Sequence, residues 1–377
     1  MKDRNRAKVR YAVVGLGWIS QDAMLPGFAN AKANSELVAL VSGDAEKLRK
    51  VGKHYGITHL YRYEDYDKLL HSGEIDAVYI ALPNSMHCDY TVRAARAGVH
   101  VLCEKPMALN EMECGEMLRA AREGQVRLMI AYRLHFEACH LHAIELARAG
   151  TLGDLRLFDS VFTMDVKAGD IRLQAALGGG TLYDIGVYCI NAARYLFHDE
   201  PTSVSAHTTT RNDGRFDEVD EMVAAVLRFP GQRVATFQVS FGAAPVSSLR
   251  LVGTKGDLRI EPAYQHEGDL VQHLTVAGKT KERTFKARDQ FGPQLVYFSQ
   301  CLLDGRDPEP NGVEGMADVR IVRALLASAA QGGQVLDIAP TATGHVDGGA
   351  AEPGLHQEIR RPEASKPALV KAETPHK

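Results

Sequence analysis

The sequence predicts a chain in two folded parts. The first is an α/β domain, a doubly wound parallel sheet; the second is a C-terminal α+β domain of open, mostly antiparallel sheet packed by helices. Three observations carry this. Apolar runs alternate with helical patterns as far as Ala131, which implies parallel βαβ units. Those runs are apolar at every position, as strands buried on both faces require. Beyond Tyr132 the alternation gives way to consecutive long strand-like segments separated by turn signals, the mark of antiparallel pairing.

The first part reads in order as follows. A run at Val9–Val14 ends at Gly15, and a helical stretch is expected from Ser20 to Ala31. Leu37–Val41 reads as the second strand, and Asp44 is placed to cap a helix reaching Tyr55. Ala77–Leu82 reads as a strand, Ser85–Ala97 as its helix and Val99–Leu102 as the next strand. Asn110 caps a helix running to Glu123, and Arg127–Ala131 closes the series.

In the second part, a helix is expected at Phe136–Ala149 and strands at 155–166, 203–210, 222–229, 234–241 and 249–260, with turns at Pro230-Gly231 and Lys255-Gly256. Helices at 184–196 and 315–330 would pack on that sheet. The expected division is 1–131, 132–340 and a tail at 341–377 rich in Gly, Pro, His and charge.

Composition excludes several function classes. The 377 residues are 45% hydrophobic and 24% charged, with a formal net charge of −3, so there is no basic stripe for nucleic acid. No apolar run approaches the roughly 20 residues of a membrane span, and Met1–Lys8 lacks the apolar core of an export signal. The expectation is a soluble, cytoplasmic protein, unless an export signal has already been removed. The six cysteines are scattered with no CxxC pair, which argues for reduced, buried thiols rather than zinc or disulfides.

Gly15-Leu16-Gly17-Trp18-Ile19-Ser20 directly follows the first strand and opens the first helix. It reads as GxGxxG with serine in the third position, the dinucleotide-binding fingerprint of a Rossmann domain in its required strand–turn–helix context. Gly15 permits the tight turn, Gly17 lets a pyrophosphate approach the backbone, and the helix N-terminus supplies free N–H groups. The second strand ends Val41-Ser42-Gly43-Asp44 with Lys47 one turn on. Ser42 and Lys47 suit a 2′-phosphate, which points to NADP. A reach by Asp44 to a ribose hydroxyl would leave NAD possible.

Leu102-Cys103-Glu104-Lys105-Pro106 lies at the C-terminal end of a strand, where doubly wound folds place their chemistry. With Gly178-Gly179-Gly180-Thr181-Leu182-Tyr183-Asp184-Ile185-Gly186-Val187-Tyr188, this Glu-Lys-Pro signature makes the chain resemble the Gfo/Idh/MocA oxidoreductases over roughly residues 8 to 335. Within them it is most similar to the glucose–fructose oxidoreductase group. The resemblance implies that Lys105 is catalytic and that Ala81–His87 is a cofactor-contacting loop, with Leu82, Asn84 and His87 joining Gly15, Gly17, Trp18, Ile19, Ser42, Lys47, Glu104 and Lys105 around the cofactor. It also places Tyr188 and Asp184 in the second-domain active-site motif and Arg133 against cofactor or substrate. The wider family usually has histidine where Tyr188 stands and often aspartate where Asn191 stands, so the match is to the branches that use tyrosine.

The chemistry fits the spacing. Asp184 and Tyr188, at i and i+4, share a helix face. Tyr188 can take the proton of a reacting hydroxyl, with the Lys105 ammonium favouring its phenolate. Asp184 and Arg172 can bind sugar hydroxyls. The expected activity is NADP-dependent oxidation of an aldose at C1 to its lactone.

Three alternatives stay open: a dihydrodiol dehydrogenase or anhydrosugar reductase, a cofactor-retaining sugar–sugar oxidoreductase, and a cofactor-bound regulator without activity. The short stretch before the first strand, with no arm to cover the adenine, favours a cofactor released at each turnover. His135, His140 and His142 with Glu137 do not have metal-site spacing, and no metal is expected. The family's open second-domain sheet usually pairs between subunits, implying a homodimer or homotetramer acting on a small-molecule sugar.

Overall fold

The computed structural model of the chain describes residues 8–339. The expected 341–377 tail lies outside these residues. Six strands form the first sheet: β1 (Val9–Val14), β2 (Ser35–Val41), β3 (His59–Tyr61), β4 (Ala77–Ile80), β5 (His100–Cys103) and β6 (Leu128–Ile130). All pair in parallel in the order β3-β2-β1-β4-β5-β6, the doubly wound order whose strand ends open a crevice beside β1 and β4. Every residue of β4 is buried, as the unbroken apolar run requires.

Helices link these strands. A π-turn at Ser20–Met24 leads into the single turn α1 (Leu25–Gly27), so the expected helix to Ala31 stops short. Pro26 occupies the first turn of α1, where its missing N–H leaves no bond unmade. α2 (Ala45–Tyr55) starts at Asp44, whose side chain accepts from Lys47 N, and ends at Gly56 in the left-handed region. α3 (Tyr66–Leu70) and α4 (His87–Arg96) follow. α5 (Glu111–Glu123) is capped by Asn110, whose side chain accepts from Glu113 N.

After α6 (Ala138–Arg148), the second sheet is built from β7 (Leu155–Asp165), β8 (Ser203–Thr209), β9 (Met222–Phe229), β10 (Arg233–Ser240), β11 (Gly242–Gly253), β12 (Gly256–Ile260), β13 (Leu270–Val276), β14 (Lys279–Phe285) and β15 (Leu336–Asp337). Its order is β14-β13-β12-β11-β7-β10-β9-β8-β15, antiparallel throughout except for the parallel pair β10 and β7. The segment 249–260 is two strands, the end of β11 and all of β12, joined by a turn at Thr254-Lys255 where Lys255-Gly256 signals one. β9 alternates exposed and buried residues, so one face meets helices and the other is open. α7 (Val187–Phe197) and α9 (Gly312–Ala330) lie on the covered face, Val204, Ala206 and Phe237 sharing a core with Ile190, Val322 and Leu325.

One helix departs from the sequence-based expectation. α8 (Phe291–Asp304) packs on the first sheet, with Phe291, Leu295 and Phe298 in one core with Val9, Tyr11 and Val13. Ser299 Oγ lies 2.7 Å from both Tyr11 Oη and Ser35 Oγ, satisfying three buried hydroxyls at once. The late chain therefore completes the early sheet. The six cysteines are free thiols, five of them buried.

Candidate active site

The glycine-rich turn is shaped by close approach. Gly15 has φ +92°, and a Cβ there would stand 2.4 Å from Ala81 O, so no other residue fits where β1 and β4 end side by side. Ser20, fully buried, donates from Oγ to Gly15 O at 2.6 Å, so the serine in the third position locks the turn. A Cβ on Gly17 would meet nothing within 4 Å: its backbone faces open space ahead of the helical segment. That is the cradle a pyrophosphate needs, and the residues present fit a dinucleotide. Trp18 projects from this turn and is 47% exposed.

At the end of β2, Ser42 is buried and its Oγ accepts from Asp44 N at 3.2 Å. Asp44 Oδ1 accepts from Lys47 N at 2.9 Å, so the acid that would serve NAD is engaged as a helix cap. Two neighbours were not foreseen. Arg62 donates to Gly43 O at 3.0 Å, and the Tyr63 ring packs against Gly43. Both come from the loop after β3, a strand too short to read in the sequence.

Lys105 follows β5, and its peptide bond to Pro106 is cis. Nζ donates to Asp184 O at 2.7 Å and to Asp184 Oδ1 at 3.1 Å, and lies 4.8 Å from the centre of the Tyr188 ring. An ammonium has three donors, so one is left for the cleft. Burial opposes the Lys105 charge, but Asp184, Tyr188 and Glu104 outweigh it and raise the ammonium above its usual range. Burial likewise opposes the Asp184 charge, and Lys105 with Arg172 holds that carboxyl well below the carboxylate range. Glu104 accepts from Tyr79 Oη at 2.5 Å and from Lys105 N at 3.3 Å; burial raises it.

Lys105 Nζ reaches both Asp184 and the Tyr188 ring, although the backbone between those two residues is not regular α-helix. Leu182–Gly186 is a π-turn, which runs into α7 at Val187. Such widened turns recur at functional sites. The glycines before it are required by contact: a Cβ on Gly179 would stand 2.4 Å from Arg172 O, and one on Gly178 would stand 2.8 Å from Asn84 Cβ.

Four residues have different surroundings from those their expected roles suggest. His87 is fully buried, with its ring nitrogens 2.8 Å from Pro106 O and 3.0 Å from Leu82 O. It therefore ties the Leu82 loop to the Lys105 loop and has no ring nitrogen for a cofactor. Asn84 donates to Gly178 O at 2.8 Å, bridging the two halves of the site. Arg172 donates to Asp184 Oδ2 at 2.7 Å and pairs with Asp170, so it and Asp184 face each other. Arg133 is 7% exposed. It donates to Tyr188 Oη at 3.2 Å, to Gln290 Oε1, and to the carbonyls of Tyr264 and Gln265. Its partners lie between 55 and 157 residues away in the chain, distances over which sequence spacing carries no signal.

Leu82 packs under Gly15, while Ile19 is half-buried at the head of the helical segment. Lys105, Tyr132, Arg133, Val187, Tyr188 and Asn191 surround a recess of about 10 Å³, room for one water. The three histidines set aside as metal ligands are engaged separately: His135 with Asn191, His140 with Tyr195 and Ala263 O, and His142 with Gln272.

Residues 9–132 match the family model described as "Oxidoreductase family, NAD-binding Rossmann fold", and residues 140–259 match the GFO/IDH/MocA C-terminal domain. The chain is 31% identical over 324 residues to D-xylose 1-dehydrogenase (NADP+) of Haloarcula marismortui, covering 84% of this chain and 90% of that protein. The crystal structure of aldose–aldose oxidoreductase from Caulobacter crescentus, complexed with glycerol, superimposes with a TM-score of 0.84 at 38% identity, covering 88% of this chain and 100% of that one. A 3-ketoreductase from Actinomadura kijaniata, in complex with NADP and TDP-benzene, gives 0.77 at 27% identity, covering 85% and 98%. Among the described residues no helix is long and apolar enough to cross a membrane. The glycine turn, the lysine at the strand end and the two matched domains make one conclusion: the chain is a member of the Gfo/Idh/MocA oxidoreductase family.

Proposed function

We propose that the protein is an NADP-dependent oxidoreductase that oxidises an aldose at C1 to the lactone. The observation that carries this reading is the cluster in which Lys105 and Arg133 flank the Tyr188 ring from 4.8 and 5.0 Å. A nicotinamide cofactor, when bound, supplies hydride acceptance and return. The chain's own residues handle the proton and the geometry. Tyr188 Oη, once it has given up its own proton, accepts the proton of the C1 hydroxyl as hydride leaves C1 for the nicotinamide, and the negative charge Oη carries before that transfer faces Arg133 Nε at 3.2 Å and the nearby Lys105 ammonium. The remaining Lys105 donor steadies the reacting sugar oxygen. Asp184, gripped by Arg172, holds Lys105 in place and acts through it.

The relatives support this substrate class, since the Haloarcula protein is named for D-xylose and the Caulobacter protein for aldoses. The test is turnover of a panel of aldoses with NADP+ or NAD+, followed at the reduced-nicotinamide absorbance. Turnover of one aldose with NADP+ supports the proposal; cofactor binding with no aldose oxidised overturns it. A second reading, hydride exchange between two sugars on a retained cofactor, draws on the 38% identical aldose–aldose oxidoreductase. It would show as sugar interconversion without added cofactor.

The NADP preference rests on Ser42, Lys47 and Arg62 around the β2 turn. Substituting both Lys47→Ala and Arg62→Ala is expected to raise KM for NADP+ by about tenfold or more, the worth of one charge-assisted contact, while leaving KM for NAD+ nearly unchanged. Equal losses with both cofactors would remove the 2′-phosphate from this turn. We also assign a homodimer or homotetramer. Leu157, Met222, Val226 and Val246 are exposed apolar side chains on the open face of the second sheet, the face a second copy would cover. A monomer mass by light scattering would overturn this.

A further inference from the structure

The segment Tyr264–Glu267 runs between the candidate catalytic tyrosine and the glycine-rich turn. At one end it is anchored beside the catalytic tyrosine. Tyr264 is 1% exposed and its ring centre lies 5.9 Å from that of Tyr188. Its N–H donates to Ser247 Oγ at 2.7 Å, its hydroxyl lies 2.7 Å from Ser160 Oγ, and the Tyr264 and Gln265 carbonyls accept from Arg133. At the other end it reaches the glycine-rich turn. His266 Nε2 lies 3.2 Å from Asp22 Oδ2, and the ring meets Trp18 edge-on at 5.0 Å. Asp22 lies in the helical segment that follows the turn, and Trp18 directly follows Gly17.

The two ends are held unequally. Buried bonds fix the Tyr264 end. The His266 end is more open: Gln265 and Glu267 are exposed, Gly268 stands at φ +78°, and the contacts of His266 join it to the glycine-rich turn and the segment that follows. The Glu267 carboxylate, within 4.8 Å of the other two ligand-type atoms, adds negative charge beside the ring. One short segment of the second domain thus touches both the residues beside the reacting sugar and the turn that fits the cofactor's pyrophosphate.

We propose that Tyr264–Glu267 is a strap across the cofactor groove, latched by His266 onto Asp22 and Trp18, and that unlatching it sets the rate at which cofactor leaves. This rests on reading the glycine turn as the dinucleotide site. The strap tethers the second domain to the turn while cofactor lies in the groove, and release then waits on a loop motion, a common limit on turnover.

Trp18 is the single tryptophan of the chain, so intrinsic fluorescence reports the latch directly. The full-length protein would be loaded with NADPH and mixed with excess NADP+ in a stopped-flow instrument, with no sugar present. His266→Ala and Asp22→Ala are each expected to speed NADPH dissociation by about tenfold. The double variant should dissociate no faster than His266→Ala, because that change already removes the Asp22 contact. Both single variants should also shift Trp18 emission in the cofactor-free protein and speed hydrogen exchange at residues 264–268. Unchanged dissociation in the single variants, or multiplying effects in the double, would overturn the latch. If Asp22→Ala fails to fold, hydrogen exchange and dissociation in His266→Ala alone decide. Failure of NADPH to bind the unaltered protein would instead overturn the cofactor reading, a different outcome from unchanged dissociation.

Discussion

Tyr188→Phe is expected to lower kcat for aldose oxidation by about three orders of magnitude, the usual worth of a positioned acid–base group. The change removes one oxygen and keeps the ring that stands against Phe162 and Tyr264. The hydroxyl accepts one bond, from Arg133, and lies on a half-buried side chain. Stability should therefore fall by only about 1 kcal/mol, and the dissociation constant for NADPH should hold. Lys105→Ala should lose comparable activity by another route, since it removes both the donor to the substrate oxygen and a charge beside Tyr188. Asp184 would keep Arg172 as partner, so the fold should survive. Single-turnover kinetics with saturating cofactor checks both variants. A Tyr188→Phe enzyme within tenfold of the original would make the tyrosine a helix anchor and move the proton step elsewhere.

Arg194→Leu is expected to destabilise the protein by about 3–5 kcal/mol, the cost of leaving buried carboxylates without their cation. The Arg194 side chain is 1% exposed. It donates to Glu200 at 2.5 and 2.9 Å, to Asp318 at 2.6 Å and to Glu314 at 3.2 Å. Three acids around one guanidinium leave the group short of positive charge. Burial pushes Glu314 up to about 7, with Asp318 and Glu200 adding to the rise and Arg194 opposing it.

The sign follows from linkage. Between its ordinary value of 4.5 and about 7, Glu314 binds more proton in the folded than in the unfolded chain. Its stabilising contribution is therefore complete below 4.5 and is lost as the pH rises through 7. Removing Arg194 strips away the charge that offsets this, so the gap in melting temperature between Arg194→Leu and the unaltered protein should widen from pH 5 to pH 8. Thermal melts at both pH values would show it; a uniform loss under about 1 kcal/mol in denaturant melts would mean that the cluster is not a structural charge centre. The effect reaches the active site, because Asp318 also accepts from Asn191 at 2.9 Å, one turn along the helix from Tyr188.

Much of this was legible from spacing alone. Continuous apolar runs identify the inner strands of the first sheet, since a parallel strand covered on both faces has no polar alternative. Asp44 and Asn110 read as helix caps and act as such. The strands harder to read are those with little core to bury. β3 has three residues at a sheet edge, and six of the seven residues of β14 are exposed, among them Lys279, Lys281, Glu282 and Arg283. Charge on an edge strand guards against further pairing and at the same time erases the apolar alternation that marks a strand. Helix α8 was missed for a different reason. Its partners are β1 and β2, more than 250 residues earlier, and a local pattern does not say which sheet a helix covers.

The site divides in the same way. By itself the sequence determined the two domain types and the glycine turn, because each depends on short-range backbone geometry written within a few residues; Lys105 and the Asp184–Tyr188 pair stood out through their resemblance to the family's motifs. The tertiary structure alone decided that His87 binds two carbonyls away from the cleft, that Arg172 grips Asp184, and that Arg133 stands against Tyr188. It alone brought His266 to Asp22. In each case the side chain's partner is set by where distant segments cross, and a polar group shut away from water takes whichever partner the fold delivers.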